Sequence, residues 1–400
     1  MKVFFISTHP AVGTGYARVG NKITNYLANL PDVEVVYYAF QRLDEYIIED
    51  RVVDSRIKIY DAIKEDPETS GGFGYNGILP ALIKEKPDIL FIYGAIPVTN
   101  DIMKLIPKEH CPPKKFFYAD IVYEWQDPIS YHILRNFKFD RIFTFTKYWR
   151  DHLINDLGFH PKVVTVLSHG VDFDTFVDVP QNEAKEKMGI KPTDYLIMNM
   201  NRNSGRKNWE VTITAFLQLL KRFDLDKKIK LYCCCDMETD GGSNLTHIVE
   251  HECLRMSLDA DDIFQHNILF CKRAGRMKDS EINNIYNAAD VCINTCYGEG
   301  FGLITMEHLY FNRPQILSGV PSSKELFGKY SHIVEPKLKL LKMTGFRGIL
   351  YYCDPTDFTD ALEYCYTNRE DKPNAREYIK ENYSWENVYK VLDKYFIKEK

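Results

Sequence analysis

The sequence has no long hydrophobic run. No stretch approaches the roughly eighteen consecutive apolar residues that a membrane-spanning helix requires. A single Lys2 precedes a short apolar strand that His9-Pro10 interrupts, and this strand is too short for the apolar core of a secretion signal. These absences predict a cytoplasmic protein without a transmembrane segment. Four basic residues near the end permit a peripheral membrane contact or form a solvated helix face: Lys390, Lys394, Lys398 and Lys400.

Basic residues are not in excess either. The chain holds 51 Lys and Arg against 56 Asp and Glu, a formal net charge of −5 at pH 7. Proteins that bind along nucleic acids neutralise phosphates with clustered cations, so this balance excludes that class and predicts no nucleic-acid partner. The apolar and charged fractions, 45% and 27%, are ordinary for a globular protein.

Paired-cysteine motifs are missing as well. The ten cysteines are scattered without a Cys-x-x-Cys pair, and Cys233-Cys234-Cys235 closes the apolar run from Ile229. We interpret these thiols as packing groups of a buried strand. A thiol-rich chain without such pairs is typical of a reducing compartment.

Strand and helix patterns alternate along the first 170 residues, starting with an apolar strand at Lys2 to Ser7 and a helix at Tyr16 to Asn29. This alternation predicts a parallel sheet with helices on both faces. The stretch Gly170 to Asp194 contains prolines and a charged middle, which favours an interdomain connection. A chain of 400 residues exceeds what one core usually spans. We therefore expect an α/β protein with Rossmann-like domains at 1–170 and 171–375, followed by a C-terminal helical segment at 376–400.

Two carboxylates eight residues apart flank a glycine-rich turn. A short apolar strand, Ala288 to Thr295, leads into the turn that holds Glu299, and Glu307 lies about one turn into the helix that follows. A strand, a glycine turn and a helix start bring backbone N–H groups to one point. Carboxylates there accept hydrogen bonds from vicinal hydroxyls, so the pair predicts a sugar ligand.

A pair of cations follows another apolar strand. Arg202 comes after the run Tyr195 to Met200, and Lys207 precedes a helix that starts near Val211. Both side chains can converge on one diphosphate, where an Arg fork and a Lys point charge stabilise a leaving group without a metal. Arg206, directly before Lys207, is a neighbouring cation of this pair.

These motifs together resemble the retaining GT-B glycosyltransferases of family 4. The resemblance is carried by Glu299-x7-Glu307 with Gly300-Phe301-Gly302 inside it, and by Arg202 and Lys207 at five-residue spacing. Further segments fit in the same order: Gly13-Thr14-Gly15 after the first strand, Ser168 to Asp172 at the step into the second domain, the glycine loop Ser318 to Leu326, and Tyr383-Ser384-Trp385. For the glycine loop, packing and binding roles both stay open. Trp385 is a candidate anchor to the first domain.

The resemblance implies two domains facing across a cleft, and a retaining transfer of a hexose from a nucleoside diphosphate sugar to a hydroxyl of a glycan or glycoconjugate. No metal or other cofactor is expected, and the acceptor attacks from the face of the leaving diphosphate. Glu299 would bind donor hydroxyls and Glu307 the ribose. GDP-mannose is the favoured donor, with UDP-glucose and UDP-N-acetylglucosamine as alternatives, and relatives also occur in large DNA viruses of algae. The remaining donor-site residues are Gly13, Gly15, Arg202, Lys207, Gly300, Phe301, Gly302 and Leu303.

The catalytic group of the first domain is less defined. Many family members carry a His after the strand that corresponds to Lys115 to Tyr118, whereas this chain has Asp120 near that place. Asp120 is the candidate that binds a donor hydroxyl or orients the acceptor. His9 is an alternative, and His169 is interpreted as a residue of the domain junction.

Other functions compete with this interpretation. His247-Ile248-Val249-Glu250-His251 matches the His-x-x-Glu-His pattern of inverted zinc peptidases. A zinc peptidase would leave the Arg202 and Glu299 motifs unexplained. A non-catalytic nucleotide-sugar binder is the third hypothesis. Asp-x-Asp metal motifs are too frequent here to be informative, beginning at Asp172, Asp224 and Asp259.

Overall fold

The chain folds into two compact units. A computed structural model describes residues 1–48, 51–239, 241–271, 275–345 and 347–397. The first unit comprises Met1–Gly170 and Trp385–Lys400, and the second comprises Val171–Ser384. The chain therefore rejoins the first unit at Trp385, later than the predicted position 376. Of the four basic residues near the end, Lys398 and Lys400 lie outside the described residues.

The first unit is built on a sheet of seven parallel strands. They are β1 (Lys2–Thr8), β2 (Glu34–Phe40), β3 (Lys58–Asp61), β4 (Ile89–Ala95), β5 (Lys114–Asp120), β6 (Arg141–Thr144) and β7 (Val164–Val166). Their order is β3-β2-β1-β4-β5-β6-β7, so the direction of winding reverses between β1 and β4. The middle strands are buried on both faces, which explains why they are nearly continuous apolar runs.

Helices of the first unit connect these strands. They are α1 (Gly15–Asn29), α2 (Ala62–Glu65), α3 (Tyr75–Glu85), α4 (Ile96–Leu105), α5 (Pro128–Asn136) and α6 (Lys147–Asp151), the last continued by a π-helical turn at His152–Asp156. The helical stretch from Lys147 to Asp156 thus consists of two segments of different winding. The predicted parallel sheet between helices is confirmed.

The second unit contains a sheet of six parallel strands and a separate antiparallel hairpin. The strands are β8 (Tyr195–Asn199), β9 (Ile229–Cys233), β10 (Ile268–Phe270), β11 (Val291–Asn294), β12 (Gln315–Ser318) and β13 (His332–Val334), and the hairpin pairs β14 (Leu338–Lys342) with β15 (Gly348–Tyr352). The order β10-β9-β8-β11-β12-β13 repeats the arrangement of the first unit, with the winding reversed between β8 and β11. The loops at the carboxyl ends of β8 and β11 therefore lie side by side, which is where open α/β sheets bind ligands.

The helices of the second unit cover its sheet. They are α7 (Gln181–Lys187), α8 (Trp209–Arg222), α9 (Leu245–Met256), α10 (Ala260–His266), α11 (Asp279–Ala288), α12 (Leu303–Leu309), α13 (Pro321–Phe327), α14 (Pro355–Thr367) and α15 (Arg376–Asn382). Among the described helices of both units, none is long and apolar enough to cross a bilayer.

The predicted interdomain connection is wrong for most of its length. Residues from Val171 onward belong to the second unit. The backbone N–H of Val177 donates to Asn283 Oδ1 at 3.1 Å, and that of Val179 donates to Asn287 Oδ1 at 2.9 Å. Asn283 and Asn287 lie one turn apart on α11, so their buried amides fasten the segment to the helix. Prolines and charges do not by themselves distinguish such a packed segment from a linker.

The final helix, α16 (Trp385–Phe396), packs on the first unit through one apolar stripe. The Tyr389 ring stacks on the Tyr26 ring with centroids 3.8 Å apart, and the Phe396 ring lies 5.7 Å from that of Phe116. Trp385 is 7% exposed, and a Cβ atom added to Gly170 would come within 2.8 Å of its ring. Trp385 therefore occupies space that only a glycine at 170 leaves open.

Candidate functional site

An ion-pair cluster lies at the switch point of the second unit, where the chain leaves β8 and β11. Glu299 Oε2 accepts a hydrogen bond from Lys207 Nζ at 2.5 Å, and Oε1 accepts one from Arg206 Nη1 at 3.2 Å. The Lys207 and Glu299 side chains are only 9% and 10% exposed. The glycine turn and the loop after β8 are therefore joined by a nearly buried carboxylate with two cations.

The charges of this cluster determine its protonation. Burial would raise the pKa of the Glu299 carboxyl, but the Lys207 and Arg206 cations outweigh burial and hold that pKa at about 2. Burial and the charge of Arg206 lower the pKa of Lys207, although Glu299 opposes them. Both pKa values are lowered, because Glu299 faces two cations, which favour its charged form, whereas Lys207 is buried and faces one anion and one cation, whose effects oppose each other. Glu299 is thus ionised at neutral pH and acts only as an acceptor.

A chain of buried hydroxyls fixes the two loops to each other. Asn199 Nδ2 donates to Thr212 Oγ1 at 3.0 Å, the Thr212 and Thr295 hydroxyls are 2.7 Å apart, and Thr295 Oγ1 donates to the Asn208 carbonyl at 2.8 Å. Sequence reasoning misses Thr212 and Thr295. A threonine after a strand or inside a helix carries no local signal for such a contact, which depends on the meeting of two distant segments.

Backbone contacts extend this support to the glycine turn. The N–H of Tyr297 donates to the Arg206 carbonyl at 3.0 Å, and Arg206 Nη1 donates to the Gly298 carbonyl at 2.7 Å. Ser322 Oγ, in the glycine loop whose role stayed open in the sequence, donates to the Glu299 carbonyl at 2.6 Å. That loop therefore holds the backbone of Glu299 in place.

The structure changes the ranking of the predicted cations. Lys207 lies in the cluster as expected, at the end of a 3₁₀ turn, Gly205–Lys207, that precedes α8. Arg206, the neighbouring cation, contacts Glu299. Arg202 is exposed on the same loop, and its carbonyl accepts a hydrogen bond from Trp209 Nε1 at 3.3 Å. The side chain of Arg202 is thus presented to solvent on the loop that also carries Arg206 and Lys207.

The two predicted carboxylates do not occupy one cluster. Glu307 lies within α12, is 2% exposed, and accepts a hydrogen bond from the Tyr286 hydroxyl at 2.7 Å. Tyr286 belongs to α11 and is not apparent from sequence spacing. Glu307 therefore holds a buried position in the helix, supported by a neighbouring helix.

Several residues of the glycine turn are constrained by backbone conformation or packing. Gly302 has a φ of 87°, in the left-handed region, and it immediately precedes α12. A Cβ atom there would lie 3.2 Å from the Phe327 ring. The Gly300 N–H donates to Glu299 Oε1 at 3.3 Å, Phe301 is 3% exposed, and Leu303 opens α12. Phe301 is thus a packing residue at the base of the turn.

The glycine loop of the first unit lies at the other switch point, after β1. The Gly13 N–H donates to the Tyr46 carbonyl at 3.0 Å, and the Thr14 hydroxyl caps α1 by accepting from the Ala17 N–H at 3.2 Å. Gly15 is the first residue of α1. The Gly13 amide, predicted to face a ligand, is therefore engaged by the protein.

Asp120 ends β5, and its carboxylate accepts a hydrogen bond from the Tyr16 hydroxyl of α1. Burial, with a contribution from Arg18, lowers the pKa of His169 to about 3, and its Nδ1 lies 2.8 Å from the Tyr118 hydroxyl. Burial also lowers the pKa of His9 to about 4. Both histidines are neutral at physiological pH. Asp120 and His9 are partly exposed, whereas His169 is buried.

The zinc-peptidase alternative lacks a metal-binding arrangement. His247, Glu250 and His251 are exposed on α9, and His251 Nδ1 lies 3.8 Å from Glu252. Across the described ranges, no three His, Cys, Asp or Glu side chains are grouped so that they could hold a metal ion. The match to the peptidase pattern is therefore a surface feature of one helix.

Sequence comparison identifies partial relatives. No family model matches the chain. A D-inositol 3-phosphate glycosyltransferase of Catenulispora acidiphila is 24% identical over 181 residues, which is 45% of this chain and 40% of the relative. The chain thus spans less than half the length of the curated relatives it matches.

Structural comparison covers the whole chain. Sucrose-phosphate synthase from Thermosynechococcus elongatus superposes with a TM-score of 0.72 at 14% identity, over 98% of both chains. HepE of Anabaena in complex with UDP-glucose gives a TM-score of 0.67 at 11% identity, again over 98% of both. Together with the two switched parallel sheets, these similarities show that the chain has the GT-B glycosyltransferase fold.

Proposed function

We propose that the chain is a glycosyltransferase that moves a hexose from a nucleoside diphosphate sugar to an acceptor hydroxyl. The observation that carries the proposal is the cluster of Glu299, Lys207 and Arg206 at the switch point of the second unit. Two further facts support it: the fold is that of nucleotide-sugar enzymes, and the partial relatives are named as glycosyltransferases.

The charges on the two loops suit a leaving diphosphate. The segment 201–208 carries three cations and the segment 295–302 carries one carboxylate, which gives the two segments together a formal net charge of +2. Exposed Arg202 supplies one of the three cations. Preorganised cations of this kind stabilise negative charge that develops as the bond to the sugar breaks. We assign Arg202 and Lys207 to the diphosphate, with Arg206 as their neighbour.

We further propose that the transfer retains the anomeric configuration and uses no metal. Both Glu299 oxygens are engaged by cations, so Glu299 is suited to orienting the donor and not to attacking its anomeric carbon. The acceptor would then attack from the face of the departing diphosphate, which takes the acceptor proton. Glu307 would orient the ribose, Asp120 would position the acceptor or a donor hydroxyl, and Gly13, Gly15 and Gly300 would contribute backbone contacts after rearrangement.

The donor identity is part of the proposal. GDP-mannose is the donor that the family resemblance favours, and UDP-glucose is the donor held by the HepE structure. A cytoplasmic location fits the ten cysteines, all of which are free thiols.

Isothermal titration calorimetry of the full chain with GDP-mannose and with UDP-glucose, each with and without EDTA, tests the proposal. We expect micromolar or tighter binding of one donor that EDTA leaves unchanged. Arg202→Ala should weaken binding at least tenfold, whereas Lys191→Ala, an exposed cation that precedes β8 at the opposite end of the strand, should not change it. Absence of nucleotide binding, with one tightly bound zinc lost on changing His247, would contradict the proposal.

Measurement of sugar transfer distinguishes a glycosyltransferase from a non-catalytic nucleotide-sugar binder. The anomeric configuration of the released or transferred sugar, followed by NMR, should match that of the donor. Inversion would exclude the proposed mechanism, and donor binding without transfer or hydrolysis for any acceptor class would favour a non-catalytic binder.

A further inference from the structure

The hairpin of the second unit exposes an unusual group of large apolar side chains. Within the six residues 338–343, Leu338, Leu340, Leu341 and Met343 are 52%, 48%, 55% and 53% exposed. Elsewhere among the described residues, exposed large apolar residues are at least four positions apart in the sequence. Clustered exposure of this kind marks an interaction surface, whereas isolated exposed residues do not.

The apolar side chains project from both faces of the hairpin. Successive side chains of a strand alternate between faces, so Leu338 and Leu340 share one face of β14 and Leu341 lies on the other. Met343 directly follows the strand. A rigid protein partner would cover one face and leave the second in water. A fluid apolar medium around the exposed strand β14 contacts both.

Basic residues are interleaved with these apolar ones. The segment 337–347 contains Lys337, Lys339, Lys342 and Arg347 and no acidic residue, although the whole chain has a net charge of −5. Lys337 Nζ lies 2.7 Å from Asp357, and Lys339 Nζ lies 4.8 Å from the centre of the Tyr351 ring. Long lysine side chains can place their apolar stems along a membrane boundary and keep the ammonium at the headgroups.

The hairpin is held firmly to the second unit by its other strand. In β15, Leu350 is fully buried and Tyr351 is 3% exposed, and the Tyr351 N–H donates to the Tyr297 carbonyl at 3.1 Å. Tyr297 belongs to the turn that carries Glu299. Only β14 is therefore presented to solvent, and it is attached next to the ion-pair cluster.

We propose that β14 docks this protein on an anionic membrane surface, with its leucines in the interfacial region and its lysines at the lipid headgroups. The proposal does not rest on the proposed function, because docking is measured without donor or acceptor. A second copy of the chain is the competing occupant, since β14 pairs with β15 alone among the described strands. The lysines along β14 disfavour such edge-to-edge pairing, because charges along an edge repel a second strand.

Co-sedimentation of the full chain with vesicles tests the docking. Vesicles of phosphatidylcholine with one third phosphatidylserine should bind the protein at least tenfold more tightly than phosphatidylcholine alone, and high salt should weaken the binding. Leu340→Glu/Leu341→Glu should reduce partitioning at least tenfold. Leu254→Glu, a matched change at an 80% exposed leucine of α9, should not reduce it. Lys390→Gln/Lys394→Gln distinguishes the alternative contact through α16 and should have no effect.

A fluorescent reporter locates the contact. Leu341→Trp should show a blue shift and quenching by brominated lipids on addition of anionic vesicles, and Leu254→Trp should show neither. Thermal unfolding checks that each variant is folded, as expected for exposed positions. Failure of the native chain to bind, equal binding by Leu340→Glu/Leu341→Glu, or a native dimer in light scattering that this variant abolishes would overturn the proposal.

Discussion

At the residue scale, Glu299 is already held by two cations before any ligand binds. Its carboxylate forms ion pairs with Lys207 and Arg206 and therefore positions these two cations. In the proposed function it also orients the donor sugar. Arg202 remains on the exposed side of the same loop. Removing one partner of a buried ion pair is costly, because the other charge is left uncompensated.

We predict that Lys207→Met destabilises the protein by roughly 3 kcal/mol, because Glu299 keeps only the Arg206 contact in a buried position. Urea unfolding measures this free energy. Lys207→Met/Glu299→Gln should recover part of the loss, which a double-mutant cycle would detect as a coupling energy. Strict additivity of the two changes would show that the pair contributes nothing to folding.

A second prediction concerns pH. The pKa of Glu299 is about 2 in the folded protein and lies near 4.5 without these contacts, so the unfolded state binds more protons between these values. The stabilisation from Glu299 is therefore complete above about pH 5 and is lost as pH falls from there towards 2. The difference in unfolding free energy between the native chain and Glu299→Gln should shrink over this range. A constant difference from pH 7 to pH 3 would contradict the assignment.

At the element scale, the position of Glu299 depends on the turn that precedes α12. The left-handed backbone conformation of Gly302 sets the direction in which α12 leaves the turn. The Ser322 hydroxyl of α13 donates a hydrogen bond to the Glu299 carbonyl and holds it in place. Strand and helix positions follow from local periodicity, so the predicted elements lie within a few residues of the observed ones. The four-residue α2 and the π-helical turn after α6 are too short or too irregular for periodicity to reveal.

We predict that Gly302→Ala destabilises the protein by at least about 1 kcal/mol, because a side chain is strained at this φ and its Cβ atom meets the Phe327 ring. Gly189→Ala is the matched control, since Gly189 has a φ of 71° and no atom within 4 Å of the added carbon. Both should lower stability in urea, but only Gly302→Ala should weaken donor binding in calorimetry. Equal donor affinity of the two variants would show that the turn at Gly302 does not contribute to donor binding.

At the scale of the whole molecule, the chain leaves the first unit at Gly170 and completes it with α16. The last helix supplies Phe396, whose ring packs 6.0 Å from Phe91 and 5.7 Å from Phe116. The first unit is thus not complete until the last described residues have been added. Residues distant in sequence then share one core.

We predict that Phe396→Ala loosens the first unit selectively. Loss of a buried aromatic ring costs about 3–5 kcal/mol, and amide hydrogen exchange should accelerate in β4 and β5. Exchange in β8 and β11 of the second unit should stay unchanged. Ile397→Ala, at the adjacent 47% exposed residue, is the control and should alter neither set of strands.

The sequence by itself determined the alternating strands and helices, the two parallel sheets and the placing of Glu299 and Lys207 on loops after strands. These features follow from periodicity, glycine and chain direction, all of which are local. Only the tertiary structure decided that Arg206 and not Arg202 contacts Glu299, that Glu307 lies against Tyr286, and that Val171 to Asp194 packs on the second unit. Each of these depends on which side chains meet across β8, β11 and their helices. Sequence spacing does not encode the distance in space between residues that are 21 positions apart, as Tyr286 and Glu307 are, or 93 positions apart, as Arg206 and Glu299 are.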